Sequence, residues 1–309
     1  MSKPDYLEMQ SAKLFRLSIA GLLLLTSAIG AEAKEVTQQF NGLTLNANLE
    51  LAAGGAEFPD SIALIVHGLM GHNGMEIIES AQRVLLDNGK SSLAINLSLG
   101  VDNRKGFYLC DSPHRHLQEN AVSEIEAWVG WLRERGARKI VLLSHSRGAN
   151  ESMIYAATRA APEITHLVML APGVDDNRKS FENRYGNTFD QTLARMKKEQ
   201  DAGRGDQLVE GVDFWSCPKA TVTADSFISY YGDNSRFRDF ESYIPKIGIP
   251  LLVVNAGADE LVPNIEAKLR QLADGERLQL VTIEGSGHFF LDFNIDEAIE
   301  AIIEYLGET

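Results

Sequence analysis

The chain has only two cysteines among its 309 residues, Cys110 and Cys217, and they form no C-x-x-C pair. That spacing gives no support to a zinc site or a dithiol redox motif. Also missing are any extended block of lysine and arginine, any internal repeat and any low-complexity tract. The formal net charge is −14, from 43 acidic and 29 basic side chains. A protein that tracks phosphates needs a basic face, so this balance argues against nucleic-acid binding and against attraction to anionic lipid. No apolar run reaches the about 20 residues needed to span a bilayer. What is present is ordinary for a globular chain, 44% hydrophobic and 23% charged, enough to bury a sizeable core. The length is within the range of α/β folds that run as one unit, with or without an inserted subdomain.

Near the start, Lys13 and Arg16 precede the apolar stretch LSIAGLLLLTSAIG (Leu17 to Gly30), which runs into Ala31-Glu32-Ala33. A basic segment, a short apolar segment and an A-x-A end read as a secretory signal peptide cleaved after Ala33. The alternative is an uncleaved anchor, for which the run is short. Asp5 and Glu8 are unusual in such a basic segment, and Met9 followed by Lys13 makes a more usual start. No cysteine follows the apolar run, so lipoprotein anchoring is not expected. Export would place Cys110 and Cys217 where a disulfide is allowed. A bond between them would stabilise by about 4–5 kcal/mol in the chain-entropy description. Two separate buried thiols are the other reading.

Val36 to Leu51 alternates apolar and polar residues around Asn41-Gly42, a hairpin signal. SIALIVHG, SSLAINLS, KIVLLS, ITHLVMLAPG, IPLLVVNAG and LQLVTIEG are apolar runs suited to strands buried on both faces. Helical patterns fall between them, near 75–87, over 117–135 with Ala121, Ile125, Trp128 and Leu132 on one face, and over 147–160. Two more are expected near 263–272 and 292–306. Regular alternation of strand and helix implies a mostly parallel central sheet flanked by helices. The rhythm breaks between Val174 and Tyr243, where the chain turns polar. A structureless loop of that length is implausible inside a compact domain, so this stretch reads as an inserted cap or lid. The expected organisation is a signal peptide (1–33), a first core part (34–173), the cap (174–245) and a second core part (246–309).

Ligands of open parallel sheets gather at the carboxyl ends of strands. The polar interruptions of this chain fall there: Gly68-Leu69, Ser146, Asp259 and His288 each follow an apolar run. A serine hydroxyl becomes a nucleophile when a base takes its proton and an acid orients that base. In a strand-turn-helix G-x-S-x-G elbow, small residues two positions away on each side let strand and helix approach. Ser146 has Gly148 after it and Ser144 before it, so Ser146 holds the central register and Ser144 replaces the first glycine. With SHSRG at the elbow, HGLMG after an early strand, GADELV after a late one and GSGHFF before the last helix, the chain resembles the α/β-hydrolase superfamily, serine-nucleophile, esterase- and lipase-like branch, of exported bacterial type. The resemblance covers the mature chain except the insert.

What the resemblance implies is a triad of Ser146, His288 and Asp259 in the superfamily's chain order, and an oxyanion hole from the backbone N–H groups of Leu69 and Arg147. Asp175 or Asp176 could replace Asp259 as the acid. His67 is expected to order the oxyanion loop, and His145, at the elbow's variable position, is a candidate to face the pocket. His72, His114, His116 and His166 lack acidic partners at ligand spacing. The expected activity is hydrolysis of a carboxylic ester or thioester by an exported enzyme, with no cofactor or metal. The expected partner is a small-molecule ester, with no nucleic acid and no membrane anchor after cleavage. Two rivals remain: a serine peptidase or amidase using acids such as Asp175, Asp176, Glu182 or Asp225 for a substrate amine, and a non-catalytic ligand-binding protein on the same fold.

Overall fold

The computed structural model describes residues 33–52, 57–159, 161–173, 177–233, 235, 239–262, 265–273 and 276–308. The signal-peptide stretch before Ala33, and Asp175 and Asp176, lie outside the described residues.

Strands β1 (Lys34–Phe40) and β2 (Leu43–Glu50) pair antiparallel across Asn41-Gly42. Both turn residues have positive φ, 48° and 79°, as a two-residue hairpin turn requires. Then follow β3 (Ser61–Val66), helix α1 (Glu76–Asp87), β4 (Ser92–Asn96), α2 (Gln118–Glu134), β5 (Lys139–His145), α3 (Arg147–Thr158) and β6 (Ile164–Leu170). After an excursion the chain returns through β9 (Leu251–Ala256), α8 (Ile265–Leu269), β10 (Leu278–Ile283) and α9 (Phe293–Glu308). The sheet order is β1-β2-β4-β3-β5-β6-β9-β10, parallel from β4 onward.

Alternation within β3 explains the apolar run. Ile62, Leu64 and Val66 enter the core on the side of α2 and α3, while Ala63 and Ile65 enter the core on the side of α1 and α9. A strand buried on both faces cannot show a polar face. From β3 the chain moves outward to β4 on one side and later to β5 on the other. The crevice between β3 and β5 is therefore the point where strand order reverses, and ligands of such sheets bind outside it. Gly68-Leu69 and Ser146 leave β3 and β5 at that crevice.

The excursion consists of α4 (Asn177–Tyr185), α5 (Phe189–Asp201), the antiparallel hairpin β7 (Leu208–Phe214) and β8 (Cys217–Thr223), α6 (Ala224–Tyr231) and the short α7 (Phe240–Tyr243). It has its own apolar core, built on Phe181, Met196, Phe214, Phe227 and Tyr230. Leu69, Met70 and Leu99 from the loops at the strand ends pack against this cluster. The hairpin was not visible as alternation, because β7 carries Gly211 and exposed Glu210 where a patterned strand would carry apolar residues. The α8 pattern expected near 263–272 is regular helix only over five residues.

Cys110 and Cys217 are joined by a disulfide, with Cα atoms 5.2 Å apart across 107 positions of sequence. The bond ties the loop after β4 to the β7–β8 hairpin. Reduction, or Cys110→Ser, is expected to lower the thermal midpoint by about 5–10 °C, with dithiothreitol having no further effect on the variant. Scanning calorimetry with and without reductant measures both.

Candidate active site

The elbow begins where β5 ends. Ser146 adopts φ 53° and ψ −124°, a conformation that a residue with a side chain rarely holds. Its N–H donates to the Leu170 carbonyl at 2.8 Å, which fixes the turn to β6. A Cβ on Gly148 would lie 2.3 Å from the His67 carbonyl oxygen and 2.9 Å from that of Val66, so α3 can lie this close to β3 only with glycine here. Ser144 is fully buried, and its hydroxyl donates to the Val168 carbonyl at 3.3 Å, so a serine fits where the motif has its first glycine.

The structure brings together three side chains from separate strand ends. Ser146 Oγ lies 2.9 Å from His288 Nε2, and His288 Nδ1 lies 2.7 Å from Asp259 Oδ2. Burial pushes the Asp259 carboxyl up, but hydrogen bonds from His288 and from the Val262 and Leu261 N–H groups outweigh it and hold the group below its usual range. An ionised Asp259 accepts the Nδ1 proton, which leaves Nε2 as the acceptor facing the serine. The alternative acids Asp175 and Asp176 lie outside the described residues.

Gly68 places the loop after β3 against the elbow, for a Cβ there would meet Ser146 Cβ at 3.1 Å. The next N–H, that of Leu69, makes no hydrogen bond within the chain among the described residues, and Leu69 and Ser146 line the same 330 Å³ cavity. Arg147 N–H is the first of α3, where helical N–H groups have no partner four residues back. Its side chain leans away, toward the insert, with the guanidinium 4.9 Å from the Trp215 ring centre and 4.6 Å from that of Tyr230.

His67 is buried and braces the loop. The Leu97 N–H and Arg104 Nη2 both donate to its Nε2, at 3.0 and 3.1 Å, so Nδ1 carries the proton and donates to the Gly68 carbonyl at 2.8 Å. Burial, with Arg104 beside it, lowers its pKa to about 3, so the ring is neutral. Arg104 also donates to the carbonyls of Leu97 and Gly71 and to Asn96 Oδ1, a buried brace that no sequence pattern pointed to. His145 lines the cavity, and its Nε2 lies 2.9 Å from the His288 carbonyl oxygen. Its pKa falls to about 3, through burial and then the neighbouring His288. His114 and His116 are buried in an aromatic cluster with Phe214, Trp215 and Tyr230. Among the described residues no group of three or more metal-ligating side chains forms. Of the acids considered for a substrate amine, Glu182 is paired with Arg178 and Asp225 accepts from Gln200, and neither lines the cavity.

Behind the elbow two buried carboxyls titrate late. Glu151, paired with Arg147 Nε at 3.2 Å, is pushed up to about 7 by burial, against the pull of Arg147. Glu124 reaches about 7 through burial as well, against hydrogen bonds from Ser98 N–H and Oγ. Between the ordinary value of 4.5 and about 7 the folded chain binds more protons than the unfolded one, so stability must fall as pH rises through that window and level off above it. The thermal midpoint is expected to drop by at least about 3 °C from pH 5 to pH 7.5. Glu124→Gln and Glu151→Gln together should flatten that slope in a pH series of melting curves.

The family model for the alpha/beta hydrolase family matches residues 50–304. The chain belongs to the alpha/beta hydrolase family. Solved structures agree on the fold. Est1E from Butyrivibrio proteoclasticus is 20% identical over 89% of this α/β hydrolase and 98% of its own chain, with a TM-score of 0.61. An esterase domain from a Rhodothermus marinus protein is 17% identical over 89% and 97%, at 0.56. An alpha-beta serine hydrolase homologue from Coxiella burnetii is 16% identical over 88% and 97%, at 0.55. No curated protein matches the sequence. The mostly parallel sheet flanked by helices thus accords with what the alternation of strand and helix implied, and the hairpin β7–β8 stands apart from it.

Proposed function

We propose that the chain is an exported serine hydrolase that cleaves carboxylic esters or thioesters through an acyl-enzyme. The observation that carries this reading is the unbroken line of hydrogen bonds Asp259–His288–Ser146, ending on a cavity that also contains Leu69. His288 Nε2 takes the Ser146 proton as Oγ attacks the ester carbonyl carbon. The developing oxyanion is met by the N–H groups of Leu69 and Arg147. Collapse breaks the bond to the leaving alcohol or thiol, which departs with the proton from His288. Water, deprotonated by His288, then attacks the acyl-enzyme and releases the acid and free Ser146. Asp259 stays ionised and holds the imidazole in the working tautomer. Esters ask least of a site beyond these groups, and among the described residues no acid lining the cavity is placed for a substrate amine. One of the structural neighbours is named as an esterase domain, which agrees with the choice. Export rests on the leader ahead of Ala33 and is consistent with the Cys110–Cys217 bond.

The test is hydrolysis of p-nitrophenyl acetate and butyrate by the purified protein, together with labelling by a fluorophosphonate and mapping of the modified peptide. Turnover and a label on Ser146 are expected. No turnover and no label on the intact chain would refute the assignment.

A further inference from the structure

The cavity over Ser146 has two unlike walls. The core contributes the apolar side chains of Met75, Leu261, Val262 and Phe289. The insert contributes Ser180, Arg184 and Ser216. Among the described residues lining this cavity, Arg184 is the only Lys, Arg, Asp or Glu.

Its guanidinium is tethered. Arg184 Nη1 donates to the Trp215 carbonyl at 2.6 Å, and the Tyr185 hydroxyl donates to the same oxygen at 3.3 Å. Trp215 holds φ 53° at the hairpin tip, and its own N–H donates to the Tyr231 hydroxyl at 3.0 Å. Glu182 on α4 and Asp190 on α5 both pair with Arg178. No described carboxylate pairs with Arg184. In a protein with 43 acidic and 29 basic side chains, the cation lining this cavity thus pairs with no carboxylate among the described residues. Repulsion of an anion by the net −14 surface is screened within about 8 Å at physiological salt, so the adjacent guanidinium sets the local preference. A guanidinium matches a carboxylate in geometry as well as charge.

We propose that Arg184 binds a carboxylate carried by the substrate, while the opposite part of the substrate rests on the wall of Met75, Leu261, Val262 and Phe289. This rests on the ester-hydrolase reading and narrows it to amphiphilic acid esters. Leu261 and Phe289 remain 62% and 39% exposed, so the apolar wall continues past the cavity and can take a chain longer than the cavity itself.

Two sets of substrates locate the acid group. Monomethyl glutarate and monomethyl adipate carry it on the acyl side, and O-butyryl glycolate carries it on the alcohol side. Dimethyl adipate and ethyl butyrate are the neutral counterparts, with rates read by proton release at constant pH. In the native protein KM for at least one acid ester should lie about fivefold or more below that of its neutral counterpart. Arg184→Gln should raise that KM by about 5- to 10-fold, leaving its kcat and all neutral-ester kinetics unchanged. Arg184→Lys should fall between, and Arg184→Glu should abolish the preference. Equal KM for acid and neutral esters in the native protein would overturn the proposal while leaving the esterase reading intact. So would an Arg184→Gln loss shared equally by neutral esters, since the residue would then only support Trp215. If no ester is turned over and Ser146 takes no fluorophosphonate, the hydrolase reading fails first and this proposal falls with it.

Discussion

Ser146→Ala is expected to reduce kcat for p-nitrophenyl butyrate by about 10⁴- to 10⁶-fold, with Ser144→Ala within about threefold of the native rate. Stability measurements on the same variants separate this from the plainest alternative. A serine before a helix is often an N-cap, and removing a cap costs about 1 kcal/mol. Ser146 precedes α3, but its side chain makes no capping hydrogen bond. Ser146→Ala should therefore leave the urea midpoint almost unchanged. Ser146→Gly should raise the unfolding free energy by about 1 kcal/mol, because glycine accepts φ 53° without strain. A residue that weakens the fold where it stands, and caps nothing, fits the nucleophile's place in the proposed reaction. Loss of activity together with loss of stability in Ser146→Ala would instead return the residue to a structural role. Ser144 supplies the contrast: its buried hydroxyl bonds a backbone carbonyl, so Ser144→Ala should cost about 1 kcal/mol of stability and little rate.

Much of this was legible from the sequence because the signals were local. The strands of a two-sided sheet are apolar throughout, so β3, β4, β5, β6 and β9 could be found as runs without any knowledge of their partners. The elbow was readable because two backbones meet there: Gly148 answers to carbonyls of Val66 and His67, and few residues other than glycine could. Asp259 and His288 were readable as polar residues just past apolar strands. The insert was harder. Its core is a cluster that takes a few buried residues from each of α4, α5, β7, β8 and α6, and apart from Phe189, Leu193 and Met196 on α5 no element carries a period long enough to see. Arg184, Ser180 and Ser216 reach the cavity only once that cluster has formed and the hairpin has been tied to the loop at Cys110. Arg104 was equally hidden, since its partners are mostly backbone carbonyls, which every residue has. Specificity on this fold is thus written in contacts between distant segments, whereas the reactive groups sit at strand ends that can be counted along the chain.

Asp259→Asn is expected to lower kcat by about 10⁴-fold, with KM and the circular dichroism spectrum little changed. The carboxylate accepts from His288 Nδ1 at 2.7 Å, as well as from two backbone N–H groups at 2.8 Å each. An asparagine carboxamide can keep the backbone bonds through its oxygen. Its NH₂ would then face Nδ1, favouring the tautomer with the proton on Nε2, and that nitrogen could no longer accept from Ser146. The geometry would survive while the base was lost, a result that packing damage does not imitate. The low pKa of Asp259 sets the pH range of the comparison. A depressed carboxyl contributes its stabilisation above its unfolded value and loses it only as pH falls through the folded one. At pH 7 the native group is therefore fully ionised, and any rate difference from Asp259→Asn reports the tautomer and the missing charge. Asp259→Glu offers the reverse control: the charge returns on a longer arm, so part of the rate should return with it. Retention of native kcat in Asp259→Asn would move the acid elsewhere, with Asp175 and Asp176, following β6, the next positions to substitute.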